Sequence, residues 1–224
     1  MRRVPGCTTT LALAALLTAW ALPAWAGPGE DREALQAELA RQAPELRPEV
    51  LGLALRAEAR ARAEGRGAKR ILAVIDYSRP STTRRLWIFD LGRRRLLFHE
   101  LVAHGKGSGE NLATRFSNRG RSLASSLGLF EAGATYQGKH GLSLKLLGLE
   151  PGFNDRAERR AIVIHGADYV SREFARVHGR LGRSWGCPAV RPEVARALIE
   201  ALANGGLVFV YYPDERWLAR SRYL

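Results

Sequence analysis

Cysteine is nearly absent from this chain of 224 residues, which has only Cys7 and Cys187. Lysine is scarce too, at 69, 106, 139 and 145 alone, so the 35 basic residues are almost all arginine. The H-E-x-x-H and C-x-x-C spacings of zinc sites are missing, and so is the G-x-S-x-G of a serine nucleophile elbow. The glycine-rich stretch at 105–109 lacks the GK[ST] ending of a phosphate-binding loop. A metal site would have to be assembled from five scattered histidines, His99, His104, His140, His165 and His178, so neither a metal nor a cofactor is expected. No internal repeat occurs.

What is present is an ordinary globular composition, 46% apolar and 25% charged, with a formal charge of +13. That balance suits a solvated basic surface or an anionic polymer at the cell envelope. No basic-aromatic recognition motif accompanies it, so nucleic acid is not an expected partner. The first 26 residues read as a secretory signal. Arg2 and Arg3 form its basic start, Leu11 to Leu22 its apolar stretch, and Ala24-Trp25-Ala26 its cleavage site. The apolar stretch is short for a membrane span, so no stable insertion is expected after cleavage. The expected location is the periplasm or cell envelope, with a mature charge of +11 once the two arginines leave the +13 total.

Residues 27–68 read as a helical arm rich in Ala, Leu, Glu and Arg, divided by Pro44 and Pro48 into helices near 30–43 and 48–64. From Lys69 the pattern changes to short β-branched and aromatic runs. Strands are expected near 70–77, 85–91, 96–104, 127–136, 142–147, 161–165 and 207–212. One late helix should start at Pro192 and stop at Asn204-Gly205. The expectation is a mostly-β domain over 69–224 with a helix after Cys187. A monomer is the expected state.

Export makes a lone thiol informative, because structural cysteines in oxidising compartments come in pairs. Once Cys7 leaves with the signal, Cys187 has no disulfide partner. It sits in Arg183-Ser184-Trp185-Gly186-Cys187-Pro188, which is turn chemistry, and the apolar run Ile162-Val163-Ile164 delivers His165 to a strand end. A Cys and a His on separate elements can form a nucleophile and its base. From spacing alone, an inert buried thiol and a catalytic one are equally consistent. Backbone N–H groups at Gly186 and Cys187 are candidate oxyanion donors. The small polar loops bring His104, Tyr136, Lys139 and His140 forward as substrate-lining candidates, with Arg183 beside the turn.

His165-Gly166 followed by Ser184-Trp185-Gly186-Cys187 resembles the His-Gly … Ser-x-Gly-Cys signature of the YkuD-like L,D-transpeptidases, in particular the murein L,D-transpeptidase catalytic domain. Supporting stretches are Asp76-Tyr77-Ser78, Val102-Ala103-His104-Gly105, Phe116-Ser117-Asn118, Ser125-Ser126-Leu127-Gly128, Gly138-Lys139-His140-Gly141 and Gly186-Cys187-Pro188-Ala189. The resemblance implies an L,D-transpeptidase-like β-sandwich with the cysteine on a loop beneath a flap. It implies Cys187 as the acylated nucleophile, His165 as base and acid, and Ser184 with Gly166 as their support. The implied substrates are peptidoglycan stem peptides: Cys187 takes the diaminopimelate carbonyl of a tetrapeptide, D-alanine leaves, and a neighbouring stem amine accepts the acyl group.

The chain departs from the pattern after the cysteine, where many members have an apolar residue and then Arg, and this one has Pro188 and Ala189. Arg183 and Arg191 are the replacements expected for that cation. The His–Cys interval is also longer than in many members, with room for an insertion at 170–181. Two other outcomes share these residues. Water as acceptor would make the protein an L,D-carboxypeptidase or related peptidoglycan amide hydrolase, and loss of activity would leave a non-catalytic wall-binding module.

Overall fold

The computed structural model describes Met1 and residues 28–224, so the expected signal and Cys7 lie outside the described residues. Among the described residues the first elements are α1 (Pro28–Gln42) and α2 (Pro48–Ala63). Pro48 sits in the first turn of α2, where its missing N–H costs nothing, while Glu49 in that turn and Arg60 and Arg62 in the last turn match the helix dipole. Val50, Leu51, Ala54, Leu55 and Ala61 form its buried stripe. With Leu39 and Leu46 they join the same apolar core as Leu72, Val74, Val208 and Val210 of the sheet. The arm is therefore packed onto the body and is not a spacer held away from it.

Eight strands follow, interleaved with three short helices: β1 (Ile71–Asp76), β2 (Leu86–Asp90), β3 (Arg95–Glu100), β4 (Gly128–Gly138), β5 (Gly141–Gly148), β6 (Val163–Gly166), α3 (Arg172–His178), β7 (Ala189–Val190), α4 (Pro192–Leu202), β8 (Leu207–Tyr211) and α5 (Glu215–Arg220). All eight are hydrogen-bonded into one sheet in the order β3-β2-β1-β8-β4-β5-β6-β7. The mostly-β expectation holds, with the helices flanking the sheet. The central β1 and β8 pair in parallel, Val74 opposite Phe209, and read as continuous apolar runs because both their faces are covered. No described helix is long and apolar enough to cross a membrane.

Two helices were not expected. In α3, Ser171 caps the start by accepting from Phe174 N–H, and Gly179 ends it at φ 67°. The helix buries no residue, so it has no apolar rhythm to betray it. In α5, Asp214 accepts from Trp217 N–H, and the fully buried Trp217 anchors the C-terminus.

A polar staple positions the segment that leads into β6. The buried Glu150 accepts from Leu129 N–H at 2.7 Å and from Trp217 Nε1–H at 3.0 Å. Asn154 donates to the Leu127 and Leu129 carbonyls, both at 2.9 Å, and accepts from Glu150 N–H. These bonds satisfy backbone groups that would otherwise be buried without partners. They fix residues 149–161 against β4 and so fix where Arg160 and Ala161 fall.

Candidate active site

The cysteine turn is built between strands. His165 stands near the end of β6 and pairs in register with Ala189 of β7, two residues after Cys187. Strand pairing thus brings residues 22 apart in sequence onto one surface. There they line a cavity of about 440 Å³ together with Tyr136, Lys139, His140, Arg183 and Ser184. Seven of the residues singled out by the sequence therefore meet in one place. Arg160, Tyr169 and Trp185 also line it, and sequence reasoning missed them.

Ser184 works inside the turn. Its hydroxyl donates to the Cys187 carbonyl at 2.6 Å and accepts from Gly186 N–H at 3.0 Å. The Gly186 N–H is thereby committed to Ser184 and is not free as the oxyanion donor expected of it. Gly186 itself is required, since its φ is +127° and a Cβ there would lie 2.9 Å from the Ala124 carbonyl.

Below the turn lies a network drawn from two polar loops. Ser184 N–H donates to the His104 carbonyl at 3.0 Å, and Lys106 N–H donates back to Ser184 at 2.8 Å. Ser125 Oγ accepts from Gly105 N–H and donates to the Gly186 carbonyl, both at 3.0 Å, while Ser125 N–H donates to Ser108 Oγ. His104 belongs to this foundation. It is 0% exposed and does not reach the cavity, which corrects its expected place on the substrate wall. Its Nδ1 meets the buried Arg85 at 2.7 Å, and burial followed by the Arg85 charge pushes its pKa down to about 4. It is a neutral acceptor for that guanidinium. Arg85 carried no recognisable motif and could not have been found by pattern.

Burial favours the neutral form of both His165 and Cys187. Burial lowers the His165 pKa below its ordinary value, against the pull of the Gly166 carbonyl. That carbonyl accepts from His165 Nδ1–H at 2.9 Å, so Gly166 orients the ring and Nε2 is left as the basic nitrogen. The His140 ring stacks on His165 with centroids 4.5 Å apart. Burial likewise raises the Cys187 thiol, opposed by N–H groups of Val163 and Cys187 and by the charges of Arg160 and Lys139. The half-buried thiol donates to the Ala161 carbonyl at 3.6 Å, and Ala161 holds φ 52°, an uncommon conformation for a residue with a side chain.

Three cations, Lys139, Arg160 and Arg183, line the cavity, and no carboxylate does. Arg183 donates to Glu110 at 2.5 Å and to the Gly109 carbonyl. Arg191, the other expected replacement cation, is bound by both oxygens of Glu100 at 3.0 and 2.7 Å and lies outside the cavity.

The L,D-transpeptidase catalytic domain family matches this chain over residues 42–211. The chain belongs to that family. Among solved structures it is similar to L,D-transpeptidases from Mycobacterium smegmatis (14% identity, TM-score 0.41, 64% of this chain and 59% of that one) and Mycobacterium tuberculosis (13%, 0.38, 64% and 58%). It is also similar to one from Stackebrandtia nassauensis (17%, 0.36, 82% and 78%). The chain spans about three fifths of the length of the two mycobacterial structures. No curated protein matches it. The family match begins inside the last turn of α1 and includes all of α2, in keeping with the arm's place in the core.

Proposed function

We propose that the protein is an exported L,D-transpeptidase that acts on peptidoglycan stem peptides through a Cys187 acyl-enzyme. The observation that carries this reading is the shared cavity, where Cys187 and His165 sit among three cations and no carboxylate. A stem ending in D-alanine is an anionic peptide, and a wall that carries cations and no carboxylate suits it.

The chemistry follows from the protonation states. His165 Nε2 takes the thiol proton as sulfur attacks the carbonyl that precedes D-alanine. Cys187 N–H then faces the developing oxyanion. His165 gives the proton to the D-alanine nitrogen as the C–N bond breaks, leaving a thioester. An amine of a neighbouring stem attacks the thioester, its proton passes to His165, and the thiol is restored. Ser184 holds the turn rigid through these steps, and Gly166 holds the imidazole. Tyr136, Lys139 and His140 on the β4–β5 hairpin form the exposed wall against which the stems would lie. Residues 1–26 act as the export signal, and the remainder works in the periplasm or cell envelope.

Purified peptidoglycan incubated with the mature protein, digested with a muramidase and read by mass spectrometry tests the proposal. New crosslinked dimers with loss of D-alanine are expected. Stems shortened without crosslinks would make water the acceptor, and unchanged peptidoglycan would overturn the enzymatic reading.

A further inference from the structure

Arg160 lies directly before Ala161, whose carbonyl accepts a hydrogen bond from the Cys187 thiol. All four of its terminal N–H groups are spent on neutral acceptors. They reach the Ser117 carbonyl and Ser126 Oγ, both at 2.6 Å, the Ala124 carbonyl at 2.5 Å and Ser122 Oγ at 3.2 Å. Arg160 appears in no salt bridge among the described residues, whereas Arg183 and Arg191 each have a carboxylate. It is half-buried, lines the cavity, and approaches the turn so closely that a Cβ at Gly186 would meet its Nη2 at 3.3 Å.

A guanidinium shared among carbonyls and hydroxyls keeps its full charge, and partial burial weakens the screening of that charge by water. The other titratable groups around the sulfur do not substitute for it. Lys139 is exposed and rests on the Trp185 ring, 5.2 Å from its centroid. Arg183 is already paired with Glu110. His165 and His140 are stacked on each other, and Tyr169 and the buried Tyr77 are neutral phenols pushed up to about 12.

We infer that Arg160 is a positioning residue for Cys187. It ties the 117–126 loop beneath the nucleophile turn and leaves a positive charge with no carboxylate on the cavity wall that it shares with the sulfur. That charge lowers the barrier to thiolate formation. The inference rests on Cys187 being the nucleophile of the proposed reaction. Its test reads the thiol itself and not peptidoglycan turnover, so the two can fail separately.

The test is the rate of Cys187 alkylation by iodoacetamide from pH 7 to 10.5, followed by intact mass on the mature protein. Thiolate displaces iodide, so the rate follows the thiolate fraction. Arg160→Gln should move the alkylation midpoint up by about one pH unit and slow the reaction up to about tenfold at fixed pH. Arg160→Lys keeps the charge and should restore most of the wild-type profile. Ser122→Asp keeps Arg160 and sets a carboxylate on its guanidinium, so it should move the midpoint upward as well. That variant answers the question if loss of the arginine unfolds the loop. A folded Arg160→Gln or Ser122→Asp with the wild-type profile would overturn the inference.

Discussion

The two walls of the cavity are built on opposite principles. On one side the Cys187 turn rests on Ser108, Ser125, His104 and the Gly105 backbone, in a lattice of buried hydrogen bonds. On the other side the tip of the β4–β5 hairpin puts Tyr136, Lys139 and His140 into solvent. That tip is tied to the rest mainly by the His140–His165 stack and by Lys139 over Trp185. The difference suits the proposed acyl transfer. Such a reaction needs its sulfur and oxyanion donor placed to within a fraction of an ångström before substrate arrives, whereas a wall that is to admit two bulky stems must be reached from water.

The largest expected effect tests whether the fixed wall carries the covalent step. Cys187→Ala should abolish crosslinking completely while the fold persists. A carbapenem, whose strained lactam an acylating thiolate should open, is expected to add its mass once to the wild type and not to this variant. An adduct that survives the substitution would move the nucleophile elsewhere.

The next effect is on pH. His165 must be neutral to accept the thiol proton, and burial holds its pKa below the ordinary histidine value. Raising the pH through that pKa creates the base, so kcat/KM should climb about tenfold per unit on the acid limb and level off by pH 7. Lowering the pH charges the imidazole and loses activity. An acid limb centred above the ordinary histidine value would contradict the buried, neutral base.

The smallest effects compare the walls directly. Ser125→Ala strands Gly105 N–H and the Gly186 carbonyl, each worth ~1–3 kcal/mol when buried unsatisfied. A fall in Tm of several degrees and a lower kcat are expected. Lys139→Ala, on the exposed tip, should leave Tm unchanged and raise KM a few-fold. Equal effects of the two on Tm, read by thermal melts, would erase the distinction.

The sequence made the pair legible but not its setting. Cys187 and His165 stood out because a solitary thiol after export and a histidine at a strand end are local signals. The strand runs were visible by the same token, from Ile71 to Asp76 through to Leu207 to Tyr211. Gly186 N–H was misjudged because its partner, Ser184 Oγ, competes at a distance of two residues, a geometry that spacing does not encode. His104 was misplaced because its burial depends on Arg85, whose position comes from sheet pairing. Arg160 was one arginine among many, and only three-dimensional packing showed it to lack a carboxylate.

The chain between His165 and Cys187 does not set the distance between them. That spacing is imposed by the backbone ladder joining His165 to Ala189. Only residues 171–180, which carry α3 and have no buried side chain, hang outside this junction, between the buried Val170 and Leu181. Their length and chemistry can be rewritten, by evolution or by design, while strand pairing holds Cys187 and His165 in register, so the extra length of this interval can carry its own surface.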